Sequence, residues 1–277
     1  MTYREAILLG ESILQKAKIV DAKNDAWLLL AMACRINHTY YYVHMDEEMS
    51  QEQIREYQAL LSKRAERIPL QYIVGEQEFM GLTFSVNEHV LIPRQDTEVL
   101  VEEVMKNLHD GFRILDLCTG SGCILLSLLH YSNDCSGVGA DLSEEALEVA
   151  RKNAEQLGEN SALFVQGDLF APVEGKFDII VSNPPYICSD VIPTLMEEVR
   201  EHEPMQALDG GADGLDFYRK IIQGAKEHLC GGGQLFFEIG YDQGEAVQRL
   251  MEQAGYREVE CVQDFAGLDR VVFGTLW

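Results

Sequence analysis

The segment FDIIVSNPPYICSD, residues 177–190, runs from a short β-branched apolar stretch into Asn183, Pro184, Pro185 and Tyr186. Asp178 to Val181 read as a buried strand, and two consecutive prolines end it because neither has a backbone N–H. A polar amide is then held at a strand terminus beside an aromatic ring. Taken alone, this is a strand-ending turn. A second stretch, ILDLCTGSGCILLSLL, sets Asp116 at the end of a strand and places Cys118, Thr119, Gly120, Ser121 and Gly122 in the turn into a helix. Glycine lets a ligand approach the backbone closely, and open α/β sheets bind ligands outside the carboxyl ends of their strands. The turn therefore predicts a nucleotide pocket. Ile124 and Leu125 stand where a dinucleotide fingerprint needs its third glycine, which disfavours a pyrophosphate. Asp141 ends the next strand, where a carboxylate can accept from both hydroxyls of a ribose. Asp168 ends the third, in QGDLF, placed to accept from an adenine amine while Leu169 packs on the ring. Each acid taken singly fits a turn or a cap. Their joint placement after three successive strands argues against coincidence.

Such residues meet only if parallel strands bring their ends together. The runs RILDL, GVGAD, LFVQGD, FDIIVSN and GQLFFEIG alternate with helical patterns such as Ala146, Leu147, Ala150, Ala154 and Leu157, which predicts an α/β, Rossmann-like sheet covered on both faces. Ser143 is placed as an N-cap and Gly158 as a helix stop. The closing YREVECVQDFAGLDRVVFG offers two more strands around a glycine turn, an antiparallel hairpin. Residues 1–70 show helical periodicity instead, with Ile7, Ile13, Leu14 and Ala17 in one stretch and Ile54, Tyr57, Leu61 and Ile68 in another. The expected organisation is a small helical domain over 1–70, a β-hairpin linker over 71–95 and a catalytic domain over 96–277.

Among 277 residues, 46 acidic against 22 basic side chains leave a net charge of −24. That charge repels phosphate backbones and attracts a basic protein, so direct nucleic-acid binding is not expected. The N-terminal stretch lacks the apolar core of a signal peptide, and no run is long enough to span a membrane. Seven cysteines, several among apolar or glycine-rich residues, fit reduced thiols in the cytoplasm. Cys118 and Cys123 lie close in sequence, but no His or Cys cluster completes a metal site, and none is expected. The expected state is a cytoplasmic monomer. GGGQLF at 231–236 imitates a Gly-Gly-Gln loop, yet Gln234 begins a predicted core strand.

With its glycine loop and strand-end acids, the chain resembles the class I methyltransferases that use S-adenosyl-L-methionine, and Asn-Pro-Pro-Tyr resembles the subset that methylates planar nitrogens. PLQYIVGEQEFMGLTF, LIPRQDTE, DLCTGSG, NPPYI, EVREHEPMQALDGGADGLDFYRKII and FAGLDRVV, in that order, resemble the peptide chain release factor glutamine methyltransferases over nearly the whole length. The resemblance implies that Asp116, residues 118–122, Asp141, Asp168, Leu169 and Asn183 line the cofactor site. It implies that Asn183, Pro184, Pro185 and Tyr186 hold the substrate glutamine of a class I release factor, with S-adenosyl-L-homocysteine as product. Within it, Gln95 departs from the usual proline of the PR-DTE block.

A glutamine nitrogen is a poor nucleophile because its lone pair is delocalised into the carbonyl. A site that orients the NH₂ and offers acceptors as positive charge develops needs no strong base. The Asn183 oxygen and the Pro184 carbonyl suit that role, with Tyr186 against the amide plane. Other readings are a glutamine methyltransferase for a ribosomal protein, an adenine-amine methyltransferase and a cofactor-binding adaptor. The acidic chain speaks against the adenine reading, and the intact Asn-Pro-Pro-Tyr against the adaptor.

Overall fold

Apolar residues three and four apart build the first of two compact units, which comprises Met1–Gly75 together with Met196–His202. The computed structural model describes all of residues 1–277. In the first unit, α1 (Tyr3–Lys16), α2 (Ala22–Cys34), α3 (His38–His44), α4 (Gln51–Ala65) and α5 (Leu70–Val74) enclose Leu14, Leu29, Leu30, Tyr57 and Leu61. Thr2 and Ser50 each form a reciprocal capping box with the residue three positions on. Gly10 has no side chain because the Tyr57 hydroxyl fills that space and donates to the Ala26 carbonyl at 3.1 Å. Arg64 is buried and bonds Asp25 at 2.7 Å and Glu198 at 2.9 Å.

The second unit comprises Glu76–Leu195 and Glu203–Trp277. Its hairpin, β1 (Glu76–Phe79) and β2 (Leu82–Ser85), precedes α6 (Gln95–Asn107), β3 (Arg113–Leu117), α7 (Cys123–His130), β4 (Ser136–Asp141), α8 (Glu144–Leu157), β5 (Ala162–Gln166) and β6 (Phe177–Ser182). After the short α9 (Glu197–His202), which belongs to the first unit, come α10 (Asp216–His228), β7 (Leu229–Glu238), α11 (Gly244–Gln253), β8 (Arg257–Gln263) and β9 (Asp269–Leu276). The seven-stranded sheet runs β5-β4-β3-β6-β7-β9-β8. Its first five strands are parallel, and β9 is antiparallel to both neighbours, as the closing sequence predicts. Alternate residues feed opposite faces: Ile114, Ile179 and Val181 pack with α6, α7 and α8, whereas Leu115 and Ile180 pack with α10 and α11. The Ser143 hydroxyl caps α8 by accepting from Ala146 N–H at 3.1 Å, and Gly158 ends it with φ +76°. No helix is long and apolar enough to cross a membrane.

The hairpin is more firmly placed than a linker. Phe79 and Phe84 are buried in the core with α6 and α7. The turn residue Met80 donates its N–H to Glu98 at 2.6 Å and accepts from the Tyr131 hydroxyl at 2.6 Å. Gln234 lies within β7, opposite Ile179 and Thr275, so GGGQLF is strand.

On β4, glycine is a packing requirement. A Cβ on Gly139 would stand 2.8 Å from the Phe164 ring and 3.0 Å from the Thr119 hydroxyl oxygen. Gly139→Ala should therefore destabilise the protein by about 1–3 kcal/mol through overpacking. A denaturant midpoint equal to that of the native protein would contradict this packing account.

Candidate active site

Three parallel strands end level with one another, since Leu117 on β3 pairs with Ala140 on β4 and with Ser182 on β6. Cys118, Asp141 and Asn183 consequently leave the sheet along the same edge. There they border a cavity of about 360 Å³, within the range of small-molecule sites. The loop after β3 is bent by left-handed residues: Cys118 has φ +60°, Gly120 +55° and Gly122 +78°. Leu169, which also lines the cavity, has φ +50°. Cys118 and Leu169 are non-glycine residues in a costly conformation, both on the cavity wall, where such strain concentrates at functional sites.

Asp141 connects the loop to the wall. Its carboxylate accepts from Gly120 N–H at 2.9 Å and from Ser143 N–H at 3.0 Å. Burial pushes its carboxyl upward in pKa and those N–H groups oppose the shift. Around Gly120 no heavy atom comes within 4 Å of where a Cβ would sit. A strand-end carboxylate, an open glycine backbone and the apolar Leu142 and Leu169 on one cavity fit a nucleoside-bearing cofactor. Cys118, Thr119, Gly120, Ser121, Asp168, Asn183 and Pro185 line the same cavity.

Four expected residues do not reach that wall. Asp116 is fully buried below the loop, accepting from the Thr119 hydroxyl at 2.6 Å, while its Oδ1 has no partner. It holds the loop from beneath through Thr119. Burial, opposed by that hydrogen bond, raises its pKa to about 7. Gly122 faces Ala150 and Leu126, where a Cβ would come within 3.2 Å of each. Pro184 is buried outside the lining. Tyr186 packs against the cluster around β7 and donates its hydroxyl to Glu238 at 3.3 Å.

The cavity also has walls that sequence reasoning did not assign. Arg94 and Thr97 contribute from the start of α6, Phe217 and Lys220 from α10, and His89 from the segment after the hairpin. Arg94 forms an ion pair with buried Glu203. The LIPRQDTE block contains Arg94 and Thr97, so the signal was present in the motif but its position in space was not. His89 is exposed at the cavity. His202 lies in α9 with the helical unit.

Fold and site are those of a class I methyltransferase that uses S-adenosyl-L-methionine. A methyltransferase from Pyrococcus furiosus superposes with a TM-score of 0.55 at 21% identity, covering 77% of this chain and 98% of that one. The ribosomal protein L11 methylase of Lactobacillus delbrueckii gives 0.50 at 19% identity, covering 68% and 82%. Residues 5–75 match the PrmC N-terminal domain, and residues 94–200 match the methyltransferase small domain. The release factor glutamine methyltransferase of Geobacter sulfurreducens is 41% identical over 99% of this chain and 97% of its own length. That of Moorella thermoacetica is 43% identical over 98% and 97%. The chain belongs to the release factor glutamine methyltransferase family.

Asp116 gives the site a measurable pH signature. Its folded pKa of about 7 lies above the ordinary carboxylate value, so the fold favours the protonated form. Its contribution to stability is full below about pH 4 and is lost as pH rises through about 7. Asp116→Asn keeps an acceptor for Thr119 without a charge, so its stability relative to the native protein should climb between pH 5 and pH 8, by on the order of a few kcal/mol. Chemical denaturation at both pH values measures this, and a difference that does not change with pH would contradict it.

Proposed function

We propose that this chain methylates the side-chain amide nitrogen of the glutamine in the Gly-Gly-Gln loop of class I peptide chain release factors, with S-adenosyl-L-methionine as donor and S-adenosyl-L-homocysteine as product. The observation that carries this reading is the state of Asn183. Its NH₂ donates to the Thr97 hydroxyl at 3.3 Å, so the carbonyl end of the amide is the end left for a ligand at the cavity. A glutamine NH₂ needs acceptors, and a carbonyl oxygen supplies one.

Bound S-adenosyl-L-methionine supplies an electrophilic methyl group on a sulfonium. Asp141 would receive its ribose hydroxyls and Asp168 its adenine amine, Leu169 would pack on the adenine, and the loop from Cys118 to Gly122 would border the remainder. Gly122 acts indirectly, by letting the loop turn into α7. The Asn183 oxygen and, from between the lining residues Asn183 and Pro185, the Pro184 carbonyl accept the two N–H groups of the substrate amide, and Pro185 and Tyr186 keep that segment stiff. Holding both hydrogens fixes the amide plane and stabilises the positive charge that develops on nitrogen. The protonated product amide is strongly acidic and gives its proton to water, so a catalytic base is unnecessary.

The target is supported by the activity for which the relatives are named and by the helical unit that precedes the methyltransferase unit. We assign residues 1–70 to recognition of the folded factor, with the hairpin segment 71–95 joining them to the catalytic residues 96–277. The net charge of −24 favours a basic protein partner over a phosphate backbone. In this reading the protein is a cytoplasmic monomer.

Asn183→Ala should lower methyl transfer about a hundredfold, the scale of losing one positioned electrostatic contact. Cofactor affinity measured by calorimetry should stay close to native, because the Asp141 and loop contacts remain. Near-native turnover by the variant would remove Asn183 from the mechanism.

A further inference from the structure

We infer that Gln243 is a positioning residue for methyl transfer: its side-chain amide clamps the far end of the Asn-Pro-Pro-Tyr segment and so sets the direction of the acceptors that segment offers the substrate. The inference rests on the glutamine-methyltransferase reading and adds a residue outside the cavity lining. Gln243 is buried in the segment between β7 and α11. Its Nε2 donates to the Tyr186 carbonyl at 3.0 Å and to the Gly214 carbonyl at 3.3 Å. Its Oε1 accepts from Gly240 N–H at 3.0 Å and from the Tyr218 hydroxyl at 3.3 Å, whose proton is shared with the Glu238 backbone carbonyl at 3.0 Å. A glutamine amide has two hydrogens to give and an oxygen with two lone pairs, so all four are used. Two carbonyls on one side and an N–H on the other force its orientation.

A clamp at Tyr186 acts on the residues before it. The proline rings fix φ at Pro184 and Pro185, so rotation about ψ is the freedom left to turn the carbonyls of that stretch. At the near end, Ser182 sits in the sheet between Leu117 and Phe237, and its hydroxyl donates to the Leu117 carbonyl at 2.7 Å. At the far end, Gln243 holds the Tyr186 carbonyl. Ile187 then pairs with a later loop, donating its N–H to the Leu208 carbonyl at 3.0 Å and accepting from Gly210 N–H at 2.8 Å. With both ends fixed, rotation of the stretch that carries the Asn183 oxygen and the Pro184 carbonyl is suppressed.

The loop that meets the clamp approaches it closely. A Cβ on Gly210 would stand 2.7 Å from the Tyr186 Cα, and one on Gly214 would overlap the Tyr186 carbonyl oxygen and lie 2.6 Å from Gln243 Nε2. Ala207 and Asp209 of this loop line the cavity, as do Asn183 and Pro185. Gln243 thus ties two stretches of the lining together, one through Tyr186 and the other through Gly214. Its own backbone is held in turn: its N–H donates to the Gly240 carbonyl at 2.9 Å, and its carbonyl accepts from Val247 N–H at 3.0 Å in the first turn of α11. A side chain locked by such support can hold a reacting segment in place.

The test uses the full-length protein, a class I release factor and methyl-labelled S-adenosyl-L-methionine. Gln243→Met keeps the bulk and removes both donor and acceptor. It should lower kcat by about tenfold or more, as misplaced reacting groups do, while the KM for the factor and the calorimetric Kd for the cofactor stay near native. Gln243→Glu, kept protonated by burial beside two carbonyls, retains one hydrogen for them and an acceptor for Gly240, so its kcat should fall between those of Gln243→Met and the native protein. In an Asn183→Ala background, Gln243→Met should cause a smaller loss, because one of the acceptors it positions is already gone. Chemical denaturation checks that each variant is folded in the assay, and if Gln243→Met is not, Gln243→Glu takes its place in the same comparisons. Near-native kcat, an undiminished effect in the Asn183→Ala background, a parallel loss of cofactor affinity, or a Glu variant no more active than a folded Met variant would each overturn the clamp. Failure of the underlying functional reading is distinguishable, since the native protein itself would then place no methyl group on a release factor glutamine.

Discussion

Register between parallel strands is the constraint on which this site depends. Asp116 on β3 is level with Gly139 on β4 and Val181 on β6, and because side chains alternate across a strand, a slip of one residue would exchange the two faces of the sheet. The apolar sets on those faces belong to different helical layers, so burial penalises such a slip strongly. Correct register brings Cys118, Asp141 and Asn183 to one edge. It also places Gly139 beneath Thr119, where only a hydrogen leaves room for the hydroxyl that binds Asp116.

Above that frame the site depends on buried acids whose hydrogen bonds are incomplete. Asp116 and Glu238 are each almost inaccessible, and each has one carboxylate oxygen without a partner. A buried carboxylate with a free lone pair costs stability, and uncharged groups of similar shape would be better tolerated by the fold alone. What the acids contribute is directional: Asp116 holds the loop that borders the cavity through Thr119, and Glu238 holds Tyr186 of the Asn-Pro-Pro-Tyr segment. The left-handed Cys118 and Leu169 are strained in the same neighbourhood. Stability is lost at the cavity, while the aliphatic and aromatic layers on both sheet faces supply it elsewhere.

Much of this was legible in the sequence because it is written locally. Two prolines must end a strand, glycines must make the turn after β3, and β-branched runs alternating with helical ones must give a mostly parallel sheet. Asp141 was read as a cavity residue and borders the cavity. Asp116 was read the same way, but it precedes the last residue of β3 whereas Asp141 is the last residue of β4. Asp116 is level with Gly139, two residues before Asp141, so its carboxylate lies on the same face but one pleat period deeper, beneath the loop, while that of Asp141 stays at the rim. Thr97 and Glu238 escaped notice for a different reason. Thr97 meets Asn183 across 86 residues of chain, and Glu238 meets Tyr186 across 52, and no local pattern encodes such pairings. The hairpin was legible as a hairpin, while its burial through Phe79 and Phe84 depends on helices that come later in the chain.

The central claim is that the cavity presents acceptors to a planar side-chain amide of a protein. The most direct measurement is fragment-ion mass spectrometry of a class I release factor incubated with the native protein and methyl-labelled S-adenosyl-L-methionine. The account predicts one added methyl group, located on the side chain of the Gly-Gly-Gln glutamine. A methyl group on any other residue, or an unmodified factor alongside methylated adenine in added nucleic acid, would contradict it.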